Sequence, residues 1–427
     1  MLAWWRNRSR GRADSLAGKA NRLAADGLWA GAEAALRQVV RLHTAELGPQ
    51  ASATLAARGE LAAALAALRR YEEAETESRA VLPLAVAAWG EDHADVRELR
   101  GVLGRALMAL ERYEEAEEEL RAVLPLAVAA RGEDHTEVHD ARLRLSRVLV
   151  ATGHVAEAEE LARAVLAAHP AVDLVRVCAW RARALALNNL GRHRDALAEY
   201  TTLLTEASSV LGAGHRLMLA ACVSRFQQLV VLGEYDRVEQ EYPALLSVLP
   251  DGDPRRAAVH SARLFALVSA GRHVEAEAFA RKVRARSPGA GLSLGLARSL
   301  NALGRAEEAL RVLTEEAESD DLGADEGPRA VLTATVTAQV LLGLHRPDEA
   351  ESRARHAVEL AQRHYHPHNH RALEAATTLG RALAAQGRRH EAESQLTRCA
   401  TAWREHFGAR HPYTAVVEAE LAALESP

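Results

Sequence analysis

The stretch Tyr71-Glu-Glu-Ala-Glu-Thr-Glu-Ser-Arg-Ala-Val-Leu-Pro-Leu-Ala-Val-Ala-Ala-Trp-Gly-Glu-Asp-His93 recurs, 42 residues later, from Tyr113 to His135. Only three positions change: Thr76 becomes Glu118, Ser78 becomes Leu120 and Trp89 becomes Arg131. Such a period constrains the fold more than any composition does, because each copy buries its apolar face mainly against its neighbours. Anchored on one alanine, the pattern extends through Ala32, Ala74, Ala116, Ala158, Ala196, Val238, Ala276, Ala309, Ala350 and Ala392. The steps are 42, 42, 42, 38, 42, 38, 33, 41 and 42 residues, which makes ten units.

Each unit reads as two amphipathic helices around a tight turn. Leu99, Val102, Leu103, Ala106, Leu107 and Leu110 recur at three- and four-residue steps, one helical stripe. The turn position is commonly glycine, as at Gly153, Gly191, Gly233, Gly271, Gly304 and Gly387, because a left-handed residue just past a helix end favours it. Seven residues earlier stand Ala62, Gly104, Ser146, Ala184, Ala297, Ala338 and Gly380. These small residues and the alanine anchors let two helices cross closely. Aromatic residues are only 4% of the chain, so a strand-rich core is disfavoured. The expected fold class is all-α.

The small residue, the turn glycine, the aromatic or histidine two positions on, and the following Glu-Ala together resemble the tetratricopeptide repeat (TPR). The loops Gly90-Glu-Asp-His93, Gly132-Glu-Asp-His135 and Phe407-Gly-Ala-Arg-His-Pro412 are similar to those of kinesin-light-chain-type repeats. The resemblance runs from about Asp14 to the end. It implies a TPR solenoid, a right-handed superhelix of about ten helix-turn-helix repeats with a C-terminal capping helix. The family serves many unrelated partners, so its fold alone does not name one.

The expected organisation is a basic N-terminal tail over 1–12, repeats one to eight over 13–314 and an acidic loop over 315–328. Repeats nine and ten then fill 329–411, and a capping helix 412–427. Phe226 and Leu264 replace the usual small residue, which predicts looser or rotated packing in units six and seven. Unit eight must begin after Ser287-Pro288-Gly289, and Pro83 and Pro125 inside second helices predict bends.

Basic residues number 53 and acidic ones 58, a net charge of −5, which argues against nucleic acid as the main partner. Only Lys19 and Lys282 are lysine, the usage expected of a GC-rich bacterial genome such as an actinobacterial one. Cys178, Cys222 and Cys399 show no pairing motif and suit a reducing compartment. No apolar run is long enough for a transmembrane segment, and Met1-Leu2-Ala3-Trp4-Trp5 followed by Arg6, Arg8, Arg10 and Arg12 lacks a signal-peptide core. The expected location is cytoplasmic. The N-terminal Trp-Trp and arginines read as a frayed tail, with anionic membrane or a partner as the alternative.

First helices of such a stack form a concave wall. Six residues before each turn the sequence places Ala63, Arg105, Arg147, Leu185, Gln227, Phe265, Arg298, Gln339 and Arg381, with Arg144 and Arg181 in neighbouring phases. Arg105, Arg144, Arg147, Arg181, Gln227, Arg298, Gln339 and Arg381 are therefore the candidate peptide-binding residues. Arginine forks take carboxylates in bidentate fashion, so the implied partner is a protein or peptide with acidic groups. The competing reading is internal pairing: Asp140 stands four residues before Arg144. The asparagine pair of kinesin-light-chain repeats is absent, those positions holding Gly59-Glu60, Gly101-Val102, Leu143-Arg144 and Thr377-Thr378. The lysine and asparagine set of the chaperone-tail clamp is absent too.

His364, His366, His368 and His370 alternate in one loop, a pattern that metal binding would use. The loop occupies the place of Gly-Glu-Asp-His elsewhere, so a loop role is favoured. Gly289-Ala-Gly291-Leu-Ser-Leu-Gly295 lacks the lysine of a phosphate loop, and no catalytic constellation or cofactor motif stands out. The expectation is a non-catalytic scaffold or adaptor, with a peptide-responsive sensor acting through a separate partner as the alternative and a repeat-built enzyme as a third, less favoured reading.

Overall fold

Helix formers in 3.6-residue periods, punctuated by glycine, give helices at every place the repeat predicts. A computed structural model of the chain describes residues 2–286, 290–319 and 327–425. Contacts divide it into two units, Met1–His169 and Pro170–Pro427. The first holds four hairpins: α1 (Leu2–Ala25) with α2 (Trp29–Leu47), α3 (Ser52–Ala67) with α4 (Tyr71–Trp89), α5 (Ala94–Ala109) with α6 (Tyr113–Arg131), and α7 (Thr136–Ala151) with α8 (Val155–Ala168). The second holds six: α9 (Leu174–Asn189) with α10 (His193–Glu206), α11 (Arg216–Val231) with α12 (Tyr235–Val248), α13 (Arg255–Ser269) with α14 (His273–Arg284), α15 (Ala290–Ala302) with α16 (Ala306–Ser319), α17 (Pro328–Gly343) with α18 (Pro347–His364), and α19 (His370–Ala385) with α20 (Arg389–Phe407). A lone α21 (Pro412–Glu425) follows. No strand occurs among the described residues. The fold is all-α, built of consecutive helical hairpins.

Every alanine anchor is fully buried, and Gly104 and Gly380 leave room for Leu120 and Leu396 of the paired helix. A Cβ at either glycine would sit under 3 Å from that leucine. Turns close with the left-handed residue and two crossed backbone bonds, as at Arg70 N to Leu65 O, 3.0 Å, and Arg69 N to Ala66 O, 3.2 Å. Glycine supplies the left-handed residue in most hairpins, but Arg69, Glu111 and His345 hold φ of 63°, 62° and 56° in the second, third and ninth.

Many arginines are absorbed by a ladder along the hairpin turns. The glutamate that follows an anchor alanine accepts from an arginine of the next repeat's turn: Arg70 to Glu33 at 3.2 Å, Arg112 to Glu75, Arg305 to Glu277 at 2.8 Å and Arg388 to Glu351 at 2.8 Å. Exposed pairs of this kind contribute little each, so the ladder fixes register more than it adds stability.

The loop histidines are helix N-caps. Nδ1 of His93, His135, His215 and His411 accepts the backbone N–H two residues on, at 3.1–3.3 Å. Asn369 does the same for Arg371 at 3.0 Å. Each cap satisfies one of the otherwise orphaned first-turn donors.

The departures have physical consequences. Hairpins α11–α12 and α13–α14 pack more lightly along their length than the others, as the large residues predict. Phe226 and Leu264 are nonetheless almost wholly buried, at 1% and 0% exposure. Leu264 finds its space against α15, where Gly295 lacks the Cβ that would meet its side chain at 2.5 Å. Helices α4 and α6 continue through Pro83 and Pro125, and α12 through Pro243. The stretch 2–12, expected as a frayed tail, is instead helical and continuous with α1, where no proline interrupts Leu2 to Ala13. Of the acidic loop expected over 315–328, α16 takes the residues to Ser319 and α17 begins at Pro328, while Asp320, Asp321, Asp325 and Glu326 lie outside the described residues. Ser287-Pro288-Gly289 lie outside them as well. No described helix is long and apolar enough to cross a membrane.

Candidate binding site

In the first unit, Arg105 and Arg144 stand on α5 and α7, the first helices of adjacent repeats. Arg144 passes over Gly101, where any side chain would collide with its guanidinium. It pairs with Asp140 at 2.6 Å and Glu98 at 3.6 Å. The i,i+4 partner named from sequence is thus real, and a second carboxylate joins it. Arg105 is different. Its Nε is buried without a hydrogen-bond partner, and burial first, then the nearby Arg144 cation, hold its pKa below the ordinary arginine value. Arg147 is exposed on α7. The wall also carries acidic groups: Glu60, Asp95 and Glu98 line one cleft with Leu55, Leu99 and Trp89. Burial, and next Asp95, push the Glu60 carboxyl up.

The second unit closes on itself. Residues of repeats five and six meet the last loops of the chain through contacts that span about half its sequence. Asn369 Nδ2 donates to Asn188 O at 3.3 Å, Arg194 to Phe407 O at 3.0 Å, and His411 Nε2 to Val231 O at 3.0 Å. His411 Nδ1 is already an N-cap acceptor, so its proton must sit on Nε2. Glycine permits the approach: a Cβ at Gly191 would stand 2.7 Å from the His368 carbonyl oxygen, and one at Gly233 2.8 Å from Pro412.

Polar side chains fill the inside of this closure. His193 Nδ1 lies 3.1 Å from both Asn188 Oδ1 and Gln228 Oε1, which requires the proton on that nitrogen. Burial pushes the His193 imidazole down to about 4. Its ring packs edge-on to His370, itself driven well below the usual histidine value by burial and by His193. Deeper still, Arg298 and Glu374, 7% and 4% exposed, pair at 2.5 Å. Tyr413 Oη donates to the same Glu374 oxygen at 3.3 Å, and Gln339 Nε2 reaches it at 3.4 Å.

A cavity of about 270 Å³ lies beside this network. Gln227, Phe265 and Arg298, inward positions of three successive repeats, converge on it, and α19 adds His370, Arg371 and Glu374. Leu294 and Leu332 extend its apolar wall. The other sequence candidates lie elsewhere. Gln339 is turned to Glu374 and to Thr378, 3.2 Å away, and Arg381 pairs with Glu420 of α21 at 2.8 Å. Arg181 is half-buried on α9. Nothing in the local sequence marks Glu374 or Tyr413 as partners of Arg298; the one available sign is that Asn188 and His370 depart from their repeat patterns.

His366, His368 and His406 form a half-buried cluster, with the His368 and His406 rings stacked 3.8 Å apart and the His366 ring edge-on to His368 at 4.9 Å. His370 leaves the row and turns inward as the first residue of α19. The alternating histidines therefore do not converge on one point, because the helix starts between the third and the fourth.

Residues 54–95, 98–137 and 372–413 match the family model of the tetratricopeptide repeat. No curated protein matches the chain. Among solved structures, the putative kinesin light chain from Podosopora anserina, described as having nearly identical TPR-like repeats, is similar over 46% of this chain and 95% of its own, at 24% identity and a TM-score of 0.41. A tetratricopeptide repeat protein from Parabacteroides merdae matches over 67% of this chain and 99% of its own, at 16% identity and a TM-score of 0.41. Yeast Tom70 matches over 97% and 96%, at 14% identity and a TM-score of 0.44. The protein described here thus carries tetratricopeptide repeats, of which the family model matches two in the first unit and one in the second.

Proposed function

We propose that this chain is a non-catalytic protein-binding scaffold that takes an acidic partner segment on the first-helix wall of its first unit. One observation carries the reading. Arg105 is a poorly hydrated cation beside a second cation, with an orphaned Nε and no carboxylate bonded to it among the described residues. An unmet buried donor of a charged group costs roughly 1–3 kcal/mol or more, and an incoming carboxylate would relieve it. Glu60, Asp95 and Glu98 on the same wall would turn away a segment that is acidic throughout, so the fitting partner alternates charge along its length.

The test is an affinity pull-down from the native organism with the intact chain, repeated with Arg105→Glu and with Arg105→Glu/Arg147→Glu. Partners recovered by the unaltered protein should be lost by both variants while helical content by circular dichroism is kept. Equal recovery by all three would remove the arginine wall as the binding surface, and failure of the unaltered protein to retain any partner would remove the scaffold reading.

A further inference from the structure

The cavity of the second unit is independent of the first-unit wall, and its chemistry points to a different kind of ligand. Its charges do not balance. Arg298 and Glu374 neutralise one another at 2.5 Å, but Arg371 also lines the cavity and has no carboxylate partner among the described residues. One positive charge is therefore left facing a space whose wall is mostly apolar in area, with Phe265, Leu294 and Leu332 in its lining beside the neutral amides of Asn188, Gln227 and Gln228. A pocket with an apolar body and a few converging polar groups is the usual form of a small-molecule site. At about 270 Å³ it is just below the range of drug-sized pockets, room for a ligand of roughly ten heavy atoms.

We infer that this cavity binds a compact monocarboxylate with an apolar body, its carboxylate on the Arg371 guanidinium and its hydrocarbon against Phe265, Leu294 and Leu332. Arginine suits the role because its planar fork holds a carboxylate through two parallel bonds. A dianion fits less well, since Glu374 stands on the same wall and Arg298 is already engaged. The walls come from repeats five to ten of a closed unit, so a ligand there ties those repeats together and stabilises the closure. The same chemistry is offered by a free small acid and by the C-terminal residue of a partner chain.

The experiment is calorimetric titration of the intact protein with octanoate, with its neutral counterpart octanamide, and with N-acetyl-leucine. Octanoate should bind with a Kd on the order of 0.1 mM, as ligand efficiencies for ten heavy atoms allow, and octanamide at least tenfold more weakly. Arg371→Gln gives up no ion pair and should fold normally, yet bind octanoate and octanamide equally. Phe265→Trp, which fills the cavity, should bind neither. An acetylated tetrapeptide ending in leucine separates the two sources: binding no weaker than N-acetyl-leucine identifies a chain terminus, and exclusion of the peptide identifies a free acid. Equal affinity for octanoate and octanamide in the unaltered protein, an undiminished carboxylate preference in Arg371→Gln, or unaltered binding in Phe265→Trp would each overturn the assignment.

Discussion

Arg298 on α15 and Glu374 on α19, 76 residues apart in sequence, form a buried ion pair at 2.5 Å inside the second unit. Glu374 also accepts from Tyr413 and Gln339, so its loss takes the acceptor from a buried guanidinium and a buried hydroxyl, while loss of Arg298 leaves a buried carboxylate held only by two longer bonds. Removing one member of a buried pair costs about 3–5 kcal/mol, whereas replacing both by apolar residues is often neutral. Arg298→Met and Glu374→Leu should therefore each lower the urea unfolding midpoint sharply, Glu374→Leu the more. The double variant should recover most of the loss. A double variant no better than Glu374→Leu would mean that the bonds from Tyr413 and Gln339, not the charge pair, are what matters.

Gly191 and Gly271 are alike in backbone, with φ of 76° and 74°, and differ in surroundings. A Cβ at Gly271 meets nothing within 4 Å, while one at Gly191 meets the His368 carbonyl oxygen at 2.7 Å. Gly271→Ala should cost only the left-handed strain, about 1 kcal/mol. Gly191→Ala should cost at least about 2 kcal/mol and raise hydrogen exchange in the peptide around His368, because it pries the closure apart. Equal thermal shifts for the two would show that the closure contributes nothing to stability.

Glu111 occupies a left-handed turn position that glycine fills in most other repeats, and it is exposed. Glu111→Gly should stabilise the first unit by up to about 1 kcal/mol, read as a higher unfolding midpoint. Arg69→Gly should behave alike. Destabilisation by both would mean that the side chains hold the turns in a way the hydrogen-bond pattern does not require.

Acid should weaken the second unit before carboxylate titration begins. His193 is held down to about 4, and His370 and His411 are also lowered, in each case by burial first. The groups facing His193 are His370, His411, Phe407 and the neutral amides of Asn188 and Gln228; the Gln228 bond favours the imidazolium, but less than burial disfavours it. Their pKa values are lower folded than unfolded, so the unfolded chain takes up more protons. Stability is fully present above pH 6.5 and falls as the pH drops toward 4. For His193 alone the loss across that window is of the order of 3 kcal/mol. Hydrogen exchange of peptides covering 186–193 and 366–373 should quicken between pH 7 and pH 5 relative to first-unit helices, after correction for the intrinsic rate. His193→Gln should flatten that dependence.

The repeat phase, the helix pairs and their turns were legible in the chain because each depends on residues within one period: a stripe of apolar positions, a left-handed turn, an alanine where helices cross. The phase also placed Gln227, Phe265 and Arg298 on one inner wall, since position within a first helix decides which way a side chain projects. It did not reveal what would meet them. Arg298 and Arg381 read as groove candidates, and it is the winding of successive repeats that brings Glu374 and Glu420 within bonding distance of them. The His364 to His370 row looked like four equivalent side chains, and only the end of α18 at His364 and the start of α19 at His370 set those two apart from the His366 and His368 rings that cluster with His406. Local sequence thus determined the hairpins, because their energetics are local. The closed second unit, its buried charge pair and its cavity were decided by small rotations accumulated over six hairpins, which no single period encodes.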